Sequence, residues 1–225
     1  FVGRATINLA NAVAQGRDPA NAVPHYEHGI AILERVRGPE SPAVGAALGN
    51  FGRLLAYLPM PQPTRAIAVL ERARAIEVKT LGPEHADLAY VDNNLAVALL
   101  NAGRLDEARA AAESGLRIAT ARFGPEHGMV AELQLNLADI AMARHDTAAA
   151  VQAFEASLAI HERAQSRPAQ RAQVRFHLAQ ALIGTGEVER ALALTRTARA
   201  EFLEDGSDHG TYLELVDAFL ATHGG

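Results

Sequence analysis

The sequence contains no cysteine and no tryptophan, and aromatic residues make up only 5% of its 225 residues. The absence of cysteine excludes disulfide bonds, thiolate zinc sites and a cysteine nucleophile. No uncharged apolar run reaches the 18 residues that a membrane-spanning helix needs, so we expect no membrane partner. The net charge of −5 argues against nucleic acid as a partner.

Alanine, in contrast, is abundant and occupies 47 of the 225 positions. Alanine is the strongest helix former and a poor strand residue, and the residues that favour strands never cluster into alternating runs. The composition therefore predicts an all-α fold. Lys79 is the only lysine among 21 basic residues, and this preference for arginine and alanine indicates a GC-rich bacterial genome.

The string Gly-Pro-Glu recurs at intervals close to 42 residues. It stands at positions 38–40, 82–84 and 124–126. A second pattern, Asn or His followed by a large apolar residue and then Ala or Gly, returns in register at 8–10, 50–52, 94–96, 136–138 and 177–179. An alanine after a short polar turn completes each unit, at Ala22, Ala66, Ala108, Ala150 and Ala191. Three patterns in register predict one array of repeats at about 1–38, 39–82, 83–124, 125–166 and 167–206, with a capping helix within 207–225.

Each unit has apolar residues at the spacing of two helices. The predicted helices cover about 2–15, 19–36, 42–57, 63–81, 86–101, 105–122, 128–143, 147–164, 169–184, 188–203 and 211–221. The small residues of the second and third patterns should let the two helices of a hairpin approach closely. The large apolar residues between them, from Leu9 to Leu178, should fill the gap to the neighbouring unit.

The third unit carries the motifs Gly-Pro-Glu-His at 82–85, Asn-Asn-Leu-Ala at 93–96 and Gly-Arg-Leu-Asp-Glu-Ala at 103–108. This pattern resembles the long tetratricopeptide repeats of kinesin light chains and their bacterial relatives, and the resemblance covers residues 1 to about 203. It implies a right-handed α-solenoid of about five helix hairpins plus a C-terminal capping helix. It also implies a protein-interaction scaffold in which the first helices of successive hairpins line a concave groove.

The large apolar residues of the second pattern should be buried, and we call them anchors: Leu9, Phe51, Leu95, Leu137 and Leu178. Their positions predict which residues face that groove. Positions one before the anchor, two after it and five before it should point into it. The last group includes Arg4, Ala46 and Tyr90. The residues predicted to bind a peptide are Asn8, Asn11, Asn50, Arg53, Tyr57, Tyr90, Asn93, Asn94, Asn136, Asp139, His177 and Gln180.

Four of these residues, Asn8, Asn50, Asn94 and Asn136, repeat once per hairpin. An amide side chain offers donors and an acceptor, so a ladder of asparagines can hold an extended peptide backbone without demanding one sequence. The alternative is that each amide bonds the next helix and holds the repeat geometry. Beside the ladder, Arg4 and Arg53 are suited to clamp a carboxylate, and the two tyrosines offer flat contact surfaces.

Other chemistry has weaker support in the sequence. His25 and His28 have helical spacing, but no third ligand accompanies them, so we expect no metal site and no cofactor. His85 and His127 occupy copies of one loop, which the repeat explains. Glu84 and Glu126, in the same two loops, should support helix starts. No catalytic motif is present, and we expect no enzymatic activity.

Two charged clusters stand near the C-terminal end. The basic one contains Arg163, Arg167, Arg171 and Arg175, and the acidic one contains Glu201, Glu204, Asp205 and Asp208. The basic cluster suits a solvated face, an acidic partner or RNA. A head-to-tail contact between the two clusters would make a homo-oligomer.

The sequence thus favours a cytoplasmic scaffold that binds a peptide or protein segment in its groove. The alternative is the sensory or regulatory region of a larger bacterial signalling enzyme, such as a Ser/Thr kinase or a nucleotide-binding switch ATPase. The first residue, Phe1, is not a methionine, which is consistent with that alternative.

Overall fold

The computed structural model describes residues 2–206 and 209–224, and every regular element within them is helical. The elements are α1 Val2–Ala14, a 3₁₀ turn Pro19–Ala22, α2 Val23–Arg37, α3 Pro42–Tyr57, α4 Pro63–Leu81, α5 Asp87–Asn101, α6 Leu105–Phe123, α7 Gly128–Ala143, α8 Thr147–Arg163, α9 Pro168–Thr185, α10 Val188–Glu204 and α11 Gly210–His223. Successive helices pack as hairpins, which confirms the predicted all-α repeat fold. Within the described part of the chain, no helix is both long and apolar enough to cross a bilayer.

The helices group into two compact units, Phe1–Arg122 and Phe123–Gly225. The boundary between them lies at the end of α6, within two residues of the predicted end of the third repeat. We refer to the two parts as unit 1 and unit 2.

One predicted helix begins differently from expectation. The segment expected as a helix over 19–36 starts as a 3₁₀ turn, and the α-helix begins only at Val23. Pro24 explains the difference, because its ring would clash with the carbonyl of residue 20 in a continuous α-helix. The Asp18 side chain accepts a hydrogen bond from the Ala20 N–H at 3.2 Å and so caps the turn.

The turns after α5, α7 and α9 each contain a left-handed residue. Gly103 has φ +73° and Gly186 has φ +84° in equivalent turns, as expected for glycine. In the fourth repeat a histidine takes this position, and His145 adopts φ +60°. The turn geometry is therefore kept even where the residue is less suited to it.

The small residues that should allow close hairpin packing are fully buried. The five alanines of the third pattern have no exposed surface: Ala22, Ala66, Ala108, Ala150 and Ala191. At Gly52 even one methyl group is excluded, because a Cβ there would lie 2.4 Å from Leu70 Cγ. The helices are thus held at a distance that only small residues permit.

The prediction for the large anchors is wrong at one position. Phe51, Leu95 and Leu178 are buried and Leu137 is half-buried, but Leu9 is 49% exposed. In unit 1, α1 packs mainly against the 3₁₀ turn, α2 and α3, and these elements leave one side of Leu9 open.

Two glycines of α3 should respond in opposite ways to substitution by alanine. We expect Gly52→Ala to lower the free energy of unfolding by about 1–3 kcal/mol, because fully buried Leu70 must move. We expect Gly49→Ala to raise it by about 1 kcal/mol, because its Cβ would lie 3.7 Å from Val91 and alanine favours the helix. Urea unfolding of both variants measures the difference. Equal effects would contradict the close approach of α3 and α4.

The last helix closes unit 2 as expected. Val216 of α11 is fully buried, and the Phe219 ring meets Phe176 of α9 edge-on at 5.7 Å. Asp217 on the outer side is exposed and pairs with Arg199 at 2.6 Å. Residues 207, 208 and 225 of the predicted capping segment lie outside the described residues.

Candidate functional site

A cavity of about 830 Å³ opens in unit 1 between α1 and α3, and the end of α2 closes it. Five positions that the sequence places in the groove line this cavity: Arg4, Asn8, Asn11, Ala46 and Asn50. Residues from the three predicted register positions therefore meet around one concave space.

The three asparagines at the cavity differ in their surroundings. Asn8 and Asn50 are exposed, so their amides face solvent. Asn11 is half-buried, and its Oδ1 accepts a hydrogen bond from the Tyr26 hydroxyl of α2. Burial raises the pKa of the Tyr26 hydroxyl, and the positive charge of Arg53 opposes that rise. Asn11 is thus oriented by α2, whereas no described residue bonds the amides of Asn8 and Asn50.

The asparagines of α5 lie deeper in unit 1 than the sequence predicts. Asn93 is 5% exposed and Asn94 is 8% exposed. A further amide, Asn101, donates from Nδ2 to the Ala56 carbonyl at 3.0 Å and so joins α5 to the end of α3. The structure therefore contains exposed amides at the cavity and, at Asn101 outside the predicted ladder, an amide that links two helices.

The remaining predicted groove residues of unit 1 are accessible. Arg53 is exposed, and Tyr57 and Tyr90 are 54% and 45% exposed. These side chains provide a cation and two aromatic surfaces on α3 and α5.

In unit 2 the structure brings two predicted residues together. Asp139 Oδ1 lies 3.7 Å from His177 Nδ1, and the His177 ring meets Phe154 edge-on at 5.8 Å. Burial raises the pKa of the Asp139 carboxyl, and His177 opposes the rise. The two residues have the same register relation as Asn11 and Asn50 at the cavity of unit 1. Nearby on α7 and α9, Asn136 is half-buried and Gln180 is exposed.

The loop histidines have a role that the sequence analysis missed. His127 Nδ1 accepts the Met129 N–H at 3.1 Å, and His85 Nδ1 accepts the Asp87 N–H at 3.3 Å. Each ring therefore satisfies a free N–H at the start of a helix. The histidine three residues after the repeated glycine was the signal for this cap.

The two loop glutamates form ion pairs with helices that follow them in the chain. Glu84 pairs with Arg117 of α6 at 2.7 Å. In the next copy of the loop, Glu126 pairs with Arg163 of α8 at 3.0 Å. Neither His25 nor His28 belongs to a group of potential metal ligands, and the described residues contain no such group.

The basic and acidic clusters pair with each other inside unit 2. Arg167 contacts Asp205 at 2.9 Å, and Arg171 contacts Glu201 at 2.8 Å. Arg175 lies 3.2 Å from Glu201. These pairs lie within one molecule, and the head-to-tail contact between molecules stays a prediction. Asp208 lies outside the described residues.

Three polar residues at the cavity escaped the sequence analysis. Arg35 and Arg37 reach it from the end of α2, and Ser41 from the start of α3. The arginines were missed because only first helices were expected to line the groove, and Ser41 because it lies outside the three register positions. The antiparallel hairpin brings the end of α2 beside the starts of α1 and α3, which is why second-helix residues take part.

The tetratricopeptide-repeat family matches the chain twice, over residues 2–43 and over residues 87–163. Nearly identical TPR-like repeats assigned to a kinesin light chain of Podosopora anserina have a similar structure over 91% of this chain and 97% of that chain, with a TM-score of 0.72 and 25% identity. A Rap protein complexed with Competence and Sporulation Factor shares the fold over 90% of this chain and 58% of that chain, with a TM-score of 0.68 and 19% identity.

Among curated proteins, the human Clustered mitochondria protein homolog is 27% identical over 110 residues. The matched segment covers 48% of this chain and 8% of that protein, so the chain spans only a small part of this relative's length. Consecutive helix hairpins, two family matches and kinesin-light-chain-type structural neighbours agree: the chain is a tetratricopeptide-repeat protein.

Proposed function

We propose that this chain is a non-enzymatic scaffold that holds a peptide or protein segment in the groove of its first helices. The observation that carries the proposal is the 830 Å³ cavity of unit 1, lined by residues from the predicted groove positions. This volume lies within the range of about 300–1,000 Å³ that is usual for ligand sites.

The exposed amides of Asn8 and Asn50 supply the chemistry for holding a peptide backbone. Each amide can donate to a backbone carbonyl and accept from a backbone N–H. Because Asn8 is on α1 and Asn50 is on α3, the two amides hold the segment from two different helices of the cavity. Recognition of backbone groups gives affinity, and the side chains around them give selectivity.

The experiment begins with a peptide selected from a random displayed library against the full chain. We expect Asn8→Ala and Asn50→Ala together to weaken its binding about tenfold, because each lost hydrogen bond costs about 0.5–1.5 kcal/mol. Both side chains are exposed, so the melting temperature should stay unchanged. Isothermal titration calorimetry and thermal unfolding measure the two quantities.

Asn101→Ala is the matched control. Its amide joins α5 to the carbonyl of Ala56, so its loss should lower the melting temperature and leave the affinity unchanged. The proposal fails if the cavity variant keeps full affinity, or if it loses stability as Asn101→Ala does.

The regulatory-region alternative stays a prediction. The short match within the much longer human relative shows that such repeats occur as parts of larger proteins. The sequence of the complete gene tests it, since an adjoining kinase or P-loop domain would support a regulatory role.

A further inference from the structure

The cavity of unit 1 has an unbalanced charge. Its charged lining residues are Arg4, Arg35 and Arg37, and no aspartate or glutamate lines it. All three arginines are exposed, and among the described residues no carboxylate pairs with them. The cavity therefore concentrates three positive charges that are free to meet a ligand.

The carboxylates nearest in sequence are engaged elsewhere. Glu27 of α2 pairs with Arg65 of α4. Glu34 of α2 pairs with Arg72, also of α4, at 2.6 Å. Glu40, in the loop after α2, pairs with Lys79. These pairs hold the negative charges on the α4 side, which leaves the arginines at the cavity unneutralised.

The start of α3 adds a hydrogen-bond donor to the same wall. Ser41, Pro42 and Ala43 line the cavity at the N-terminus of this 16-residue helix. The Ser41 side chain makes no capping bond, and within the described residues its Oγ is buried without a partner. The Val44 and Gly45 N–H groups bond the Ser41 carbonyl, and Pro42 has no N–H, so the first N–H left for a ligand is that of Ala43. A helix N-terminus favours an anion.

The positive charge of the cavity indicates which of two oxyanions, a carboxylate or a phosphate monoester, fits it better. One carboxylate carries a single negative charge, which one arginine can match. A phosphate monoester carries about −1.5 to −2 charges at neutral pH and three acceptor oxygens. Three arginines and a helix N-terminus suit the phosphate monoester better.

We propose that this cavity is a phosphate-monoester site, filled by a phosphorylated side chain of the segment that occupies the groove. The inference rests on the proposed function and names the ligand class at that site. The cavity is much larger than a phosphate group, and Val2, Ile32 and Val36 line it as well. The residues beside the phosphorylated position should therefore be apolar.

The experiment compares three probes on the full chain: inorganic phosphate, a degenerate phosphoserine peptide library, and the same library with glutamate in place of phosphoserine. We expect the phosphoserine library to bind at least tenfold more tightly than the glutamate library. We expect inorganic phosphate to shift the amide resonances of Ser41 and Ala43 in nuclear magnetic resonance spectra.

The test variant is the double substitution Arg35→Gln and Arg37→Gln. Because each arginine–phosphate contact is charge-assisted, we expect the variant to bind the phosphoserine library at least tenfold more weakly. The control removes the same charge elsewhere in unit 1, by Arg104→Gln and Arg109→Gln, which break the surface pairs with Glu107 and Glu113. The control should retain the affinity of the unsubstituted chain.

Three results would overturn the proposal. Equal binding of both libraries would assign the cavity to ordinary acidic segments, and equal losses in the test and control variants would show general charge attraction. Unshifted Ser41 and Ala43 resonances would show that phosphate does not bind there. If unphosphorylated peptides bind through Asn8 and Asn50 while phosphate has no effect, the phosphate site alone fails. If no peptide binds but phosphate shifts these resonances, the peptide-binding function fails and a free-phosphate site takes its place.

Discussion

Glu77→Gln is expected to raise the free energy of unfolding at pH 8 by about 3 kcal/mol. Glu77 lies on α4 and is only 4% exposed, and among the described residues its Oε2 has no hydrogen-bond partner. Burial raises the pKa of its carboxyl from the ordinary 4.5 to about 7, and the negative charges of Asp87 and Asp92 add to the rise. The neutral amide avoids the cost of burying a charge at this place.

The pH dependence follows from the direction of this shift. The folded chain keeps the Glu77 proton at pH values where the unfolded chain has lost it, so raising the pH favours unfolding. The protonated Glu77 carboxyl therefore stabilises the folded chain fully below pH 4.5, and this stabilisation is lost as the pH rises to about 7. Urea unfolding at several pH values should show the difference between Glu77→Gln and the original chain growing over this range.

The exposed Glu71 of the same helix provides the control. Glu71→Gln should change the free energy of unfolding by less than about 0.5 kcal/mol at every pH. A stability difference for Glu77→Gln that does not vary between pH 4.5 and 7 would show that the Glu77 carboxyl is ionised like an ordinary one.

Glu201→Gln should have an effect of similar size and opposite sign in unit 2. Glu201 is 7% exposed and contacts Arg171 at 2.8 Å and Arg175 at 3.2 Å, whose side chains are 20% and 12% exposed. Removing the carboxylate leaves Arg171 without this partner and Arg175 with only Glu162. We expect a loss of about 3–5 kcal/mol in the free energy of unfolding, as for other buried pairs that lose one member.

Urea unfolding of Glu201→Gln beside Glu204→Gln tests this expectation. Glu204 is on the same helix but is exposed, so its substitution should change the stability by less than about 0.5 kcal/mol. Similar results for both variants would show that the Arg171–Glu201–Arg175 network adds no stability beyond that of surface charges.

The helices were predictable because the repeat supplies each boundary several times. Gly82 and Gly124 both follow long helices with φ near +90°, and Pro42 starts α3 where Ser41-Pro42 predicted it. The one element that began late, α2, did so because Pro24 belongs to the first repeat alone. The division into units between Arg122 and Phe123 left no trace in the repeat spacing.

The candidate site was only partly predictable. Register alone placed Asn8, Asn11 and Asn50 around one cavity, because the repeat puts them at equivalent positions of successive first helices. Register could not show that the Asn11 amide bonds Tyr26, since that contact depends on the distance between two helices. It also could not show that Arg35 reaches the cavity from the second helix.

The five fully buried alanines restrict how this protein can vary over evolution. Glycine is the only smaller residue, so almost every substitution at these positions enlarges a side chain that has no free space. The spacing between the helices of a hairpin is therefore conserved by sterics, whatever the ligand. Exposed positions such as Asn8, Asn50 and Arg53 carry no such restriction. The repeats can thus exchange the chemistry of their groove, one residue at a time, while the helices that present it stay in place.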